Sequence, residues 1–174
     1  MAEEPDRRVH PPHQGGERET LESFLDFYRE TILVKLEGLS DEDLGRVIVP
    51  SGWSPLGMVK HLAYVERSWF RTRLAGEPAG PVPWTKEDPD ADFRIEPGET
   101  NEDILGFYRE ECAHSREVAA KASLDDLAVE WPADRWSEKR PTLRWIYVHM
   151  IEETARHAGH LDVVRELIDG KTGD

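Results

Sequence analysis

Apolar residues recur at three- and four-residue steps in four separate stretches of this 174-residue chain. The stretches begin near Glu19, at Pro55, near Thr100 and near Leu143, and the last one ends at Gly170. Such spacing places the apolar side chains on one face of an α-helix. Four helices that are each apolar along one face predict an all-α protein, a four-helix bundle.

Residues with known preferences for helix ends support these boundaries. Ser54 is suited to the N-cap of the second helix, with Pro55 in its first turn. Thr100 and Asp103 fit a capping box at the start of the third helix. Gly170 is a suitable C-cap for the fourth. We expect the first helix to extend to about Leu39.

The segments between the helices predict the domain organisation. Residues 76–99 contain many prolines and glycines, so a long irregular loop is expected between the second and third helices. Within it, Trp84 and Phe93 predict partial docking on the bundle. A second irregular segment covers residues 131–141. The domain is predicted to span residues 18–170, after a flexible N-terminal arm and before a short C-terminal tail, at 1–17 and 171–174.

Composition and charge narrow the choice of partners. The net charge is −14 and no basic stripe is visible, which argues against nucleic-acid binding. No run approaches the roughly 18–20 apolar residues that a membrane span requires. The charged N-terminal residues do not resemble a signal peptide, and Cys112 has no disulfide partner. We therefore expect a cytoplasmic protein that acts on a small molecule, with a homodimer as one option for its assembly.

The last helix carries polar residues where its apolar face would continue. Glu153 and His157 are four residues apart and therefore point the same way, and His160 follows on nearly the same face. On the second helix, His61 takes a core position. Two histidines and a carboxylate are a ligand set of catalytic zinc sites and also suit iron, nickel or manganese. The alternative is a Glu153–His157 ion pair beside a core histidine, and spacing alone leaves both open.

Two segments carry a family resemblance. Residues 53–63 (WSPLGMVKHLA) and 152–160 (EETARHAGH) resemble the DinB superfamily, also called the DinB/YfiT-like bundles. The closest likeness is to its uncharacterised actinobacterial branch, which includes the mini-circle protein. Residues 16–21, 65–70 and 161–167 extend the resemblance over nearly the whole chain.

The resemblance implies a metal site. In the superfamily, a histidine on the second helix and two ligands four apart on the last helix bind a divalent metal, often zinc or nickel. Matching the glycine after the second ligand to Gly159 implies His61, Glu153 and His157 as ligands of one ion, for which we favour zinc, and places His149 outside the site. The glutamate departs from the usual histidine and resembles mycothiol-dependent maleylpyruvate isomerase.

The resemblance also implies an activity. Several members use a low-molecular-weight thiol, mycothiol or bacillithiol, in S-transfer or isomerisation, with the thiol sulfur taking the open position on the metal. A metal-dependent hydrolase is the second hypothesis and requires a general base, for which Glu152, Glu66 and His160 are the candidates. A non-catalytic, metal-stabilised stress-response or accessory bundle is the third. His160 could also be a ligand, although a position beside the ligands or at the rim is favoured.

Overall fold

The computed structural model describes residues 6–132 and 139–173, and it is helical. The helices are α1 (Glu17–Val34), α2 (Asp41–Gly45), α3 (Pro55–Glu66), α4 (Asn101–Ala120) and α5 (Leu143–Asp169). In those ranges the only β-type pairing is an isolated bridge between Leu127 and Thr142. The all-α prediction is therefore confirmed, with α1, α3, α4 and α5 as the four predicted helices. Parts of the predicted arm, second irregular segment and tail, at 1–5, 133–138 and 174, lie outside the described residues.

The predicted helix ends have the expected hydrogen bonds. The Ser54 hydroxyl accepts a bond from the backbone N–H of Gly57, 3.1 Å away, and so caps α3. Thr100 and Asp103 form a reciprocal capping box on α4. Gly170 ends α5 in the left-handed conformation, with φ of 75°. Side chains close in sequence make each cap, which is why the sequence predicts them well.

The first helix is shorter than predicted. It ends at Val34, and the chain then turns through Gly38, whose φ of 74° is left-handed. Ser40 caps the short helix α2 by accepting a bond from the N–H of Asp43. The apolar periodicity continued to Leu39 because that residue still packs against the core from the turn. In this segment the apolar periodicity reflects burial in the core and does not mark the end of the helix.

The second predicted helix changes its winding halfway. After Glu66, α3 continues as a π-helical segment at Arg67–Leu74. Apolar spacing over eight residues does not separate a π-helix from an α-helix, so the sequence predicted one continuous element. π-helical turns occur frequently at functional sites.

The core consists of two clusters of apolar side chains. In the bundle, α3 packs mainly on α4, and α1 packs mainly on α5, whereas α3 and α5 meet at far fewer positions. One cluster contains Leu62 and Tyr108, and the other contains Phe70 and Met150. None of the helices in the described part of the chain is long and apolar enough to cross a membrane.

A buried ion pair connects α1 to α3. The Arg29 guanidinium donates to both carboxylate oxygens of Glu66, at 2.8 and 2.7 Å, and the two residues are only 4% and 1% exposed. Burial opposes the charge of Arg29, but the Glu66 carboxylate outweighs it and raises the pKa of Arg29 well above its usual value. Arg29 is therefore held charged inside the bundle.

The long loop is docked on α3 at several points. Buried Lys60 donates to the carbonyl oxygen of Arg94 and to the Glu99 carboxylate, both at 2.7 Å. Trp84 meets Tyr64 edge to face with ring centres 5.4 Å apart. These contacts, together with those of Phe93 described below, confirm the predicted docking of the loop.

The N-terminal segment before α1 also has packing partners. Arg7 pairs with Glu30 and Glu37 on the bundle. The Arg8 guanidinium lies 5.5 Å from the centre of the Phe27 ring. The described part of the predicted arm therefore follows the outer side of the first helix and the turn after it.

We predict that the buried pair is an all-or-none element of stability. Glu66→Leu should lower the free energy of unfolding by about 3–5 kcal/mol, because it leaves the Arg29 charge buried beside an apolar group. The double variant Arg29→Met/Glu66→Leu should lose less than the two single variants together. Urea unfolding followed by circular dichroism measures this coupling.

Arg116 supplies the matched control. It pairs with Asp26 at 3.0 Å, but both side chains are more than 40% exposed. Arg116→Leu should therefore change stability by less than about 1 kcal/mol. Equal losses for Arg116→Leu and Glu66→Leu would contradict the assignment.

Candidate metal centre

Three potential ligands meet where α3 faces α5. His61 projects from α3, while Glu153 and His157 project from adjacent turns of α5. The Nε2 atom of His157 lies 3.3 Å from Oε1 of Glu153, and Nε2 of His61 lies 3.7 Å from the same oxygen. One ligand atom from each residue falls within 4.8 Å of the others, which makes this the group in the described residues able to hold a metal ion.

The donor set and spacing fit a divalent ion. Ligand atoms about 2.0–2.1 Å from a tetrahedral zinc are roughly 3.4 Å apart, and the observed separations are close to that value. Three protein ligands leave a fourth position for water or substrate. The sequence-predicted residues His61, Glu153 and His157 are thus brought together, and His149 is not part of the group.

A residue that the sequence did not predict orients the first ligand. Nδ1 of His61 lies 2.8 Å from Oδ2 of Asp92, in the 3-10 turn Ala91–Phe93. Since the carboxylate is the acceptor, the proton is placed on Nδ1, and Nε2 is left to face Glu153. Carboxylates frequently hold metal-binding histidines in this way. The only sequence signal was a carboxylate inside the loop already predicted to dock.

Gly57 allows this loop to approach α3. A Cβ at Gly57 would lie 2.1 Å from the carbonyl oxygen of Phe93, so any larger residue would displace the turn. The Phe93 ring stacks on His61, with ring centres 4.0 Å apart and planes inclined by 12°. Backbone contact and ring stacking together fix Asp92 and His61 in register.

His160 stands beside the second histidine ligand. Its Nδ1 atom lies 3.3 Å from Nδ1 of His157, while Nε2 of His157 is directed at Glu153. Partial burial and the neighbouring His157 lower the pKa of His160, so near pH 7 its neutral ring is able to accept a hydrogen bond from His157. The arrangement matches the predicted position beside the ligands, with His160 supporting His157 as Asp92 supports His61.

The other candidate bases are placed less favourably. Glu66, buried in its pair with Arg29, has both carboxylate oxygens occupied, and the prediction of Glu66 as a general base is therefore wrong. Glu152 is exposed and pairs with Arg156. His149, which was not a candidate base and lies outside the ligand group, stacks on Trp145 with planes inclined by 16°, and burial lowers its pKa.

The candidate site is strongly polarised. Hydrogen bonds from His157 and His61 hold the pKa of Glu153 well below its usual range, in spite of partial burial. Burial alone would lower the pKa of His61, but hydrogen bonds to Asp92 and Glu153 outweigh it and raise the pKa. Without an ion the site favours a proton on His61, and a divalent cation would replace that positive charge.

A polar cavity of about 620 Å³ opens beside the candidate ligands. Asp92 and Glu153 line it, together with Trp84 from the long loop. Arg73 and Arg156 contribute positive charge to its wall. The long loop therefore forms part of the cavity wall, and a small polar molecule has space next to the candidate ligands.

Fold and site geometry together define a DinB-like bundle with a His/Glu/His group between its second and last long helices. A sequence profile described as mycothiol-S-transferase matches residues 20–170, nearly the whole chain. The protein belongs to the mycothiol-S-transferase family. That family lies within the DinB/YfiT-like superfamily, so the resemblance is confirmed. No curated protein gives a significant match to the sequence.

We predict one divalent ion per chain. His61→Ala, Glu153→Ala and His157→Ala should each abolish stoichiometric binding, because two ligands hold an ion poorly. Elemental analysis after dialysis measures occupancy, and circular dichroism shows that each variant is folded. His149→Ala is the control on the same helix and should keep the ion. Loss of metal from that variant alone would place the site one or more turns away.

We predict that metal affinity depends on Asp92. Asp92→Asn should weaken binding by about 10–100-fold, because the partner that orients His61 loses its charge. Asp88→Asn in the same loop is the control, since Asp88 pairs with exposed Arg94 away from the ligands. Competition with a chromophoric chelator gives both constants. Equal metal affinities for the two variants would contradict the role of Asp92 in orienting His61.

We predict that acid releases the ion through the histidines. A ligand histidine must be neutral, so affinity is full above the raised pKa of His61 and falls as the pH drops through it. Each ligand histidine that takes up a proton should weaken binding by about tenfold per pH unit, and the ion should be released as the pH falls below roughly 5 to 6. The lowered pKa of Glu153 keeps this carboxylate ionised throughout. Full occupancy at about pH 4 would contradict two histidine ligands.

Proposed function

We propose that the protein is a metal-dependent S-transferase that joins a mycothiol-type thiol to a small electrophile. The observation that carries the proposal is the His61/Glu153/His157 group, found in a chain of the mycothiol-S-transferase family. The ion is divalent, and zinc suits two imidazoles and one carboxylate best. Nickel, iron and manganese accept the same donors.

Such an ion, when bound, lowers the pKa of a coordinated thiol and so supplies a thiolate at neutral pH. The residues of the chain would hold the ion and orient its ligands. Asp92 keeps the Nδ1 proton on His61 and directs Nε2 inward, and His160 is placed to do the same for His157. The Glu153 carboxylate cancels one of the two positive charges of the ion.

The chain offers no thiolate of its own. Its one cysteine, Cys112, is 3% exposed within the apolar core. Burial and the nearby Glu66 carboxylate raise the pKa of this thiol far above neutrality. A buried, protonated thiol is neither a nucleophile nor a metal ligand. Sulfur chemistry at the candidate site therefore requires a thiol from outside, in accord with a family that uses mycothiol.

The polar cavity suits such a cosubstrate. It is large enough for part of a sugar-linked thiol, and Glu153 and Asp92 are among the residues that line it. Hydroxyl and amide groups of the thiol would find hydrogen-bonding partners in Thr85, Arg73 and Glu152. In this proposal the sulfur lies toward Glu153, and the hydroxyl and amide groups lie farther from the candidate ligands.

The alternatives have weaker support. Hydrolysis needs a base beside the open position, but Glu66 is engaged by Arg29, Glu152 is paired with Arg156, and Nδ1 of His160 is directed at His157. An isomerase of the thiol-dependent kind would use the same ligands and differ in its second substrate. An accessory role would leave the open position without a use. S-transfer explains the ligand set and the family together.

We predict a direct bond between thiol sulfur and the ion. Protein substituted with Co(II) should gain a near-ultraviolet sulfur-to-metal charge-transfer band when mycothiol is added. S-methyl mycothiol is the matched control and should give no such band. His61→Ala should lose both the cobalt spectrum and the thiol-dependent band. An unchanged spectrum with mycothiol would overturn the proposal, even if the protein binds metal stoichiometrically.

A further inference from the structure

A second cavity lies beside the polar one. It has a volume of about 610 Å³ and shares the side chains of Tyr64, Ser68, Arg73 and Trp84 with the polar cavity. The two spaces therefore adjoin along these four residues. Glu153 lines the polar cavity, and we call the second space the apolar cavity.

The wall of the apolar cavity is mainly hydrocarbon and aromatic. Ala79, Val82 and Trp84 come from the long loop, and Trp131 and Pro132 come from the segment after α4. Asp92, Glu153 and Arg156, which line the polar cavity, do not contribute here. Sites of this size with apolar walls and few polar groups take drug-sized organic ligands.

The charges around the apolar cavity are balanced. Two arginines and two glutamates line it: Arg67, Arg73, Glu77 and Glu130. Arg67 is bound by Glu111 at 2.8 Å, and Glu77 is bound by His114 at 2.9 Å. The Arg73 guanidinium lies over the Trp69 ring, 4.5 Å from its centre. The described residues that line the cavity carry no net charge to attract an anionic ligand, so an uncharged ligand is favoured.

The aromatic groups at the junction suit a flat ligand. The Tyr64 and Trp84 rings meet at 87° and line both cavities. Offset and edge-to-face contacts of this kind stabilise aromatic ligands beyond simple burial. The π-helical segment Arg67–Leu74 forms the floor, and such turns are frequent where function requires an unusual backbone.

We propose that the apolar cavity binds the sulfur acceptor, an uncharged aromatic electrophile. The inference rests on the proposed S-transferase function and names the class of its second substrate. With an aryl halide, the thiol sulfur forms a bond to the ring carbon, and the carbon–halogen bond breaks. The halide leaves with its electron pair, and the thiol proton passes to solvent. The products are a thioether, a halide ion and a proton.

Two fluorescent probes with the same ring skeleton test the cavity without chemistry. N-phenyl-1-naphthylamine is uncharged, and 8-anilino-1-naphthalenesulfonate carries one negative charge. The metal-free protein should bind the uncharged probe about tenfold more tightly, because an anion entering a neutral apolar cavity loses its hydration. 1-Chloro-2,4-dinitrobenzene, added without thiol, should displace the probe. Equal binding of the two probes, or no displacement, would overturn the proposal.

Val82→Glu locates the binding site. Val82 is 40% exposed on the loop, so the substitution leaves the fold intact and places a carboxylate at the cavity, weakening binding of the uncharged probe by about tenfold. Val163→Glu is the matched control on α5, where Val163 is 56% exposed and does not line the cavity. Ala79→Trp, which fills the cavity, is the second variant. Equal effects of Val82→Glu and Val163→Glu would overturn the proposal.

These measurements separate the two proposals. Probe binding by metal-free protein does not depend on the ion or the thiol, so it succeeds or fails independently of the cobalt experiment. If S-transfer is observed, Val82→Glu should raise KM for the aromatic electrophile and leave KM for mycothiol unchanged. A rise in KM for mycothiol alone would assign the apolar cavity to the thiol and overturn the inference.

Discussion

The buried pair of Arg29 and Glu66 fixes the rotation of α3, and the candidate site depends on that rotation. Glu66 lies five positions after His61, which turns their side chains about 140° apart around the helix. When Arg29 on α1 holds Glu66 with two hydrogen bonds, His61 is directed toward α5. A slide or rotation of α3 would break a paired charge inside the core, where an unpaired charge costs several kcal/mol. The electrostatic constraint on one side of the helix thus orients the ligand on the other.

The loop completes what the helices begin. Two helices supply the candidate ligands, but the orientation of His61 comes from Asp92 and Phe93, which approach only because Gly57 has no side chain. Lys60 and Tyr64 hold the two ends of the loop against the same helix. One face of α3 therefore positions the ligand, its hydrogen-bonding partner and the wall of both cavities. A change in the loop would alter metal affinity and substrate space together.

The sequence predicted what is encoded locally and missed what depends on contacts between distant segments. The caps at Ser54 and Thr100 and the pair Glu153/His157 are visible because their members are three or four residues apart. Asp92 and His61 are 31 residues apart, and only the folded loop joins them. Glu66 was taken for a possible base because burial opposite Arg29 leaves no local signature. The π-helical winding after Glu66 was likewise hidden, since eight residues give too little periodicity to reveal it.

The core of the bundle is formed without the candidate ligands, so an ion at the site is not needed to hold the fold together. Two apolar clusters and the buried ion pair hold the bundle together. None of the three candidate ligands belongs to either cluster. The candidate ligands lie where α3 and α5 meet at few positions. A structural ion, in contrast, would be enclosed by its ligands on all sides. Here the group borders a cavity through Glu153. The core does not need this site, yet the site contains three polar residues and a carboxylate that orients one of them. Such an arrangement fits the proposed binding and turnover better than a stabilising role.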